Sequence, residues 1–230
     1  MDADVLNGRP FWQRLGGAEK AVALAACAGA LAGTALIADG LYIKAKASLS
    51  QVLLQRSFAA ELSGYAGARP WPWADFVTEA RIAAPRLGAE AIVLRGASGE
   101  TLAFGPAHLE GTPLPGEAGT AVIAAHRDTH FRWLKDLHPG DEVEITRRDG
   151  RMLVFEVSEA RIAPWNESGI NASALGVHLA LATCWPFDAT TPGPLRYIVD
   201  LELVRDATLS EEAIPTAARY TSALSAPFPS

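Results

Sequence analysis

The stretch "VHLALATCWPF", residues 177–187, places apolar residues at Val177, Leu179 and Leu181 and then stops at a cysteine. Alternation with a period of two is the pattern of a half-buried β-strand. Pro186 ends it two residues beyond Cys184, because proline cannot donate to a strand ladder. Cys184 therefore sits where a strand runs out into a loop-lined rim. The chain has one other cysteine, Cys27, inside an apolar N-terminal run, so no disulfide framework is expected. A lone cysteine is commonly a small buried hydrophobe. Its place at a strand end points instead to a thiol kept for its own reactivity.

Working outward, residues from about 75 onward read as short strands separated by turns. "AIVLR" (91–95), "TLAF" (101–104), "TAVIAAH" (120–126), "DEVEIT" (141–146), "RMLVFEVSEARIA" (151–163) and "LRYIVDLELV" (195–204) are each bounded by Gly, Pro or Asp. Asp149-Gly150 is a hairpin dipeptide. Only "HFRWLKDL" (130–137) reads as a short helix, with Asp128 or Thr129 as its cap. About seven strands with one brief helix imply a closed barrel or a sandwich.

Toward the N-terminus, "AVALAACAGALAGTALIA" (21–38) carries 18 residues without a charge. At helical rise this spans about 27 Å, near the thickness of a bilayer's hydrocarbon core. A cleavable signal ending at "AKA" (45–47) is the rival reading. The anchor is preferred, because the run is longer than a signal core and Lys44 and Lys46 flank the cleavage point. Basic residues lie on both sides of the run, so charge barely selects an orientation. The short N-terminus favours an inside position, with the C-terminal domain outside the cytoplasmic membrane. Residues 41–64 repeat apolar positions at helical spacing, and "GARPWPWADF" (67–76) breaks that helix. The expected organisation is a cytoplasmic N-terminus over 1–20, a membrane anchor over 21–43, a helical stalk over 44–74, a β-domain over 75–205 and a flexible tail over 206–230. The net charge of −6 and the absence of a Lys/Arg cluster exclude the basic footprint that nucleic acid requires.

A nucleophilic thiol needs a base or a cation beside it, because the thiolate is the reactive form. Among five histidines, His126 ends the apolar strand "TAVIAA" and so occupies a strand end as Cys184 does. His178 lies within a strand and reads as structural; His108 and His138 adjoin turns and read as solvated. Arg196 follows Cys184 by 12 residues. The loop "WPFDATTPGP" (185–194) would return the chain antiparallel and bring that guanidinium to the same rim, able to stabilise an oxyanion or hold a carbonyl. A zinc site of His126, His130 and Cys184 is a weaker alternative, since it lacks a fourth ligand and needs His126 in a helix.

The segments "AVIAAHRDTHFRWLKDLHPGD" and "LALATC", followed by an arginine at the start of the next strand, resemble the sortases, membrane-anchored cysteine transpeptidases. The "ATCWPFDA…GPLRY" region and the short anchor are most similar to the Gram-negative, class GN members. One departure is Ala180, where the family signature has a threonine. The resemblance implies a mostly-β fold: a closed eight-stranded β-barrel with short helices, preceded by a transmembrane helix. It further implies that Cys184 attacks the carbonyl of a sorting-signal threonine on a partner protein and forms a thioester. His126 would serve as acid and base, and Arg196 would steady the oxyanion or orient the peptide. Thr183 and Trp185 are expected to contact the substrate. An amine acceptor completes the transfer, and no metal or other cofactor is implied. An L,D-transpeptidase-like cell-wall enzyme is the second enzymatic reading, although its arginine would lie in a Ser/Gly-rich stretch that "TCWPFDA" lacks. A tethered, non-catalytic β-domain that binds partners is the third.

Overall fold

The computed structural model of the chain describes residues 15–208. The N-terminus expected over 1–20 and the tail expected over 206–230 lie largely outside these residues. The chain divides after Leu49 into two units. In the first, helix α1 (Gly17–Leu62) begins, and its segment Gly17–Tyr42 is long and apolar enough to cross a membrane. Leu31 and Leu36 are each more than 70% exposed.

The second unit opens with the last three turns of α1. Here the apolar stripe expected of a stalk is used for packing. Leu54 and Phe58 are buried against Phe76, Ile92 and Leu94, with Trp71 and Phe104 completing the cluster. Trp71 meets Phe76 and Phe104 edge-on at 5.5 and 5.1 Å between ring centroids, a geometry aromatic quadrupoles favour. The helix stops at Gly64, whose φ of +91° is the left-handed conformation that ends helices. Glu61 accepts the amide of Ala68, and Ser57 donates to the Ala68 carbonyl. The Pro/Trp-rich breaker is thereby fastened to the helix end.

Eight strands follow: β1 (Thr78–Ala84), β2 (Ala89–Arg95), β3 (Ala107–His108), β4 (Gly119–Ala124), β5 (Glu142–Arg147), β6 (Arg151–Pro164), β7 (Val177–Cys184) and β8 (Leu195–Thr208). They close a barrel in the order β1-β2-β3-β4-β7-β8-β6-β5, so no sheet edge is left open. Inward residues fill it: Ile82, Val93, Ile123, Phe131, Leu134, Ile145, Leu153, Phe155, Leu179, Leu181 and Val199 are at most 0–1% exposed. The alternation read in 177–183 thus points its apolar side into the barrel. β4 and β7 pair in parallel; β7 and β8 pair antiparallel. Gly150, at φ +83°, makes the β5–β6 hairpin turn.

Three expectations are corrected. "TLAF" is not a strand but the end of helix α2 (Gly99–Phe104). Ser98 caps it by accepting the Thr101 amide at 3.1 Å, which satisfies an orphan helix N–H. The segment 130–137 forms only a 3₁₀ helix over Arg132–Asp136, with no side-chain cap. Phe131 and Leu134 are drawn into the core and set its path instead. His108 is 5% exposed rather than solvated, with Nε2 2.8 Å from the Pro113 carbonyl oxygen.

Candidate active site

Cys184 ends β7, Arg196 is the second residue of β8, and His126 lies two residues beyond the end of β4. In a strand, successive side chains alternate between faces. With Leu179, Leu181 and Thr183 turned inward, His178, Ala180, Ala182 and Cys184 share the outer face. Register aligns the neighbours into rungs. Thr120, His178 and Glu202 form one, and Val122, Ala180 and Asp200 the next; Ala124, Ala182 and Ile198 form the third. Cys184 pairs directly with Arg196. His126 lies two residues beyond the Ala124–Ala182 pair, just past the end of β4 at the other side of β7.

The two strand ends are stitched together at that level. Ala125 donates its amide to the Ala182 carbonyl at 3.2 Å, and Thr183 Oγ1 donates to the Ala125 carbonyl at 2.7 Å. Thr183 is 2% exposed, so it ties the cysteine strand to the histidine strand. The thiol of Cys184 is half-buried and free, and His126 is exposed. The sulfur and the imidazole are not hydrogen-bonded to each other. Arg196 donates from Nη1 to the carbonyls of Gly193 and Leu195, each at 2.9 Å, which parks its guanidinium on the β7–β8 loop. His130 stands close enough to His126 to feel its charge. Burial, and secondarily His126, hold the His130 imidazole below its usual pKa. His126 lies outside any helix, so the helical i, i+4 ligand pair of the zinc alternative does not form.

Below the Cys184–Arg196 rung the face becomes apolar. Val122, Ala180, Ala163 and Ile198 pack together, with Ile170 and Leu109 against them. Ala180 is fully buried in this floor. Further along, a cleft of about 550 Å³ is lined by Thr120, His178, Asp200, Glu202 and the β6–β7 loop. It lies at the opposite end of β7 from the thiol. Gly119, at φ +113°, brings β4 so close to that loop that a Cβ would lie 2.2 Å from the Ala172 carbonyl oxygen. Arg161 pairs with Asp200 at 2.7 Å and also donates to the Ser168 carbonyl, fixing the loop from the other side.

Trp185 stacks on Tyr197 at 5.8 Å and meets Phe187 edge-on at 5.7 Å. Burial raises the Tyr197 pKa. Sequence reasoning singled out Trp185 and passed over Tyr197 and Phe187, whose link to it is visible only once β7 and β8 are paired. It also passed over Arg127. This residue follows His126 directly, is 9% exposed, and donates from Nη2 to the carbonyls of Ala189 and Thr191. The signal available was adjacency: the inward neighbour of a rim histidine must lie at the barrel mouth.

Comparison with known proteins agrees with this architecture. A Sortase domain model matches residues 82–204. Sortase D of Bacillus subtilis (strain 168) is 29% identical over 116 residues, which cover 50% of this chain and 58% of that relative. Among solved structures, sortase C-3 of Streptococcus pneumoniae superposes with a TM-score of 0.55 at 21% identity, covering 76% of this chain and 91% of that one. Listeria monocytogenes sortase A gives 0.52 at 20% identity, covering 59% and 93%. With more than half of its residues matched by that domain and the same closed barrel, the chain belongs to the sortase family.

Proposed function

We propose that the protein is a membrane-anchored cysteine transpeptidase that cuts a sorting signal from the C-terminus of a partner protein and joins the new end to an amine. The observation that carries this reading is the single outer-face rung: Cys184 opposite Arg196 on one side, and the end of β4, leading to His126, on the other.

In the first half-reaction the Cys184 thiol gives its proton to the His126 imidazole, and the sulfur attacks a peptide carbonyl. The C–N bond breaks, the imidazolium protonates the departing amine, and a thioester remains on Cys184. In the second, an incoming amine gives a proton to the imidazole and attacks the thioester. The new amide leaves and the thiol is restored. Arg196 turns from the loop carbonyls to the carbonyl oxygen as negative charge develops there. The peptide carbonyl is presented at the rim beside Cys184, because Val122, Ala180 and Ile198 below it are already covered by Leu109 and Ile170. Trp185, half-buried in its aromatic group, borders the thiol on the loop side.

Gly17–Tyr42 anchors the protein in the cytoplasmic membrane, with the barrel on the extracytoplasmic side. Protease added to intact spheroplasts should digest the barrel; a protected barrel would reverse the orientation. The enzymatic reading is tested by acid-quenching membranes that contain the protein and mapping Cys184. A hydroxylamine-labile acyl chain on that peptide is expected, and it must vanish in Cys184→Ala. A Cys184→Ala protein that still exchanges peptide ends would end the proposal.

A further inference from the structure

Arg127 is a buried cation without a counter-charge. Among the described residues no carboxylate pairs with it, and its Nη1 is buried with no hydrogen-bond partner. Holding a guanidinium in that state opposes folding, because the charge is desolvated and incompletely paired. Its Nη2 is fully used, on the carbonyls of Ala189 and Thr191 in the middle of the β7–β8 loop. The loop's ends are tied otherwise: the Trp185 amide donates to the Leu195 carbonyl at 3.0 Å, and the Trp165 amide to the Pro194 carbonyl at 2.8 Å. Among the described residues, Arg127 supplies the only side-chain hydrogen bonds into residues 186–192. The same loop carries the Gly193 carbonyl on which Arg196 rests.

We propose that Arg127 is a positioning residue of the acyl-transfer site, a latch by which the histidine segment holds the β7–β8 loop and thereby sets where Arg196 and Trp185 stand beside the thiol. This rests on the transpeptidase reading above for its catalytic part; the latch itself does not. A loop freed at its middle lets the Gly193 carbonyl wander, and Arg196 then starts from many places rather than one. Transition-state stabilisation suffers more than substrate capture, because the Arg196 guanidinium is needed most as negative charge develops on the carbonyl oxygen.

The experiment compares the full-length wild type in detergent with Arg127→Met and Arg127→Lys. Replacing a poorly paired buried charge by an apolar chain of similar length is often neutral or stabilising, so Arg127→Met should melt within a few degrees of wild type or above it. Hydrogen exchange at amides 187–192 should accelerate at least about tenfold, while core amides of β7 keep their protection. With a pool of synthetic peptides carrying one fixed threonine as probe, acylation of Cys184 should lose about tenfold or more, chiefly in kcat rather than KM. Alkylation of Cys184 by iodoacetamide should stay within about twofold, since the thiol and His126 are untouched. Arg127→Lys, which keeps a charged donor on a shorter side chain, should recover part of both losses. Unchanged loop exchange in Arg127→Met overturns the latch. Faster loop exchange with unchanged acylation overturns the positioning role. A large fall in melting temperature with loop and core exchange rising together makes Arg127 a stability residue and overturns the proposal. A wild type that acylates no peptide defeats the transpeptidase reading and the positioning role with it, and the loop exchange then still decides the latch.

Discussion

The outer face of β7 has two ends, and they treat similar side chains in opposite ways. At the Val177 end the reactive groups are occupied: His178 Nε2 lies 2.8 Å from the Leu175 carbonyl oxygen, Asp200 is held by Arg161, and Ser158 donates to the Asp200 carbonyl at 2.8 Å. At the Cys184 end the thiol and the His126 imidazole have no hydrogen-bond partner among the described residues, and Arg196 rests only on two neutral carbonyls. A side chain already bonded must give up that bond to do chemistry, whereas an unbonded one needs only a substrate. The two ends thus separate engaged side chains from unengaged ones along one strand, and the proposed acyl transfer uses the unengaged end.

The strongest way to break this contrast is at the thiol. Cys184→Ala should lose acyl-enzyme formation completely in an acid-quench mass measurement, with a melting temperature within a few degrees of wild type, because a half-buried sulfur at a strand end leaves little cavity. His126→Ala should lower turnover by about a hundredfold or more, the usual scale for removing a general acid–base. Arg196→Lys should lose about tenfold to a hundredfold, since an ammonium cannot reproduce the planar fork. His178→Gln at the other end, assayed alongside them, should change turnover less than about twofold. A large loss there would erase the distinction between the ends.

Much of this was readable in one dimension. The apolar alternation before Cys184 and the Pro186 stop placed the thiol on a rim. The loop of 185–194 implied the antiparallel return that pairs Cys184 with Arg196. What stayed hidden needed the third dimension. Thr183 could not be sorted from its neighbours until the parallel β4–β7 pairing showed its hydroxyl on the Ala125 carbonyl. Helix α2 escaped because "TLAF" has strand-like composition and only Ser98 marks its start. β1 escaped for want of clear alternation in "TEARIAA", and β3 because two residues are too few to show a period. Residues Ser50–Leu62 carry a helical stripe that is the same for a free stalk as for a docked helix. Only Phe76, Ile92 and Leu94 reveal what it covers.

Smaller effects sharpen the comparison. Gly119→Ala should destabilise the loop-bearing end by about 1–3 kcal/mol in denaturant unfolding, from the left-handed φ and the Ala172 carbonyl oxygen combined. Activity per folded molecule should survive. His130 gives a pH signature at the reactive end. Its folded pKa lies below the unfolded value of 6.5, so the unfolded chain takes up its proton first. Its contribution to stability is therefore full above pH 6.5 and is lost as pH falls from there through the folded pKa. His130→Gln should flatten that part of the melting-temperature curve between pH 7.5 and 5. An unchanged slope would show that His130 is not the group responsible.

The proposed site requires the end of β7, the start of β8 and the segment just beyond β4 to meet at one level, and cysteine cross-linking measures this without a substrate. In a Cys27→Ala background, His126→Cys and Arg196→Cys should each form a disulfide with Cys184 under mild oxidation. Directly paired antiparallel residues such as 184 and 196 hold Cα atoms about 4.5–5.5 Å apart, within disulfide reach, and the proposed site requires position 126 to come as near. His178→Cys should leave Cys184 free. Peptide mapping that finds Cys184 unpaired with position 126 or position 196 would contradict the shared rung and the acyl-transfer site built on it.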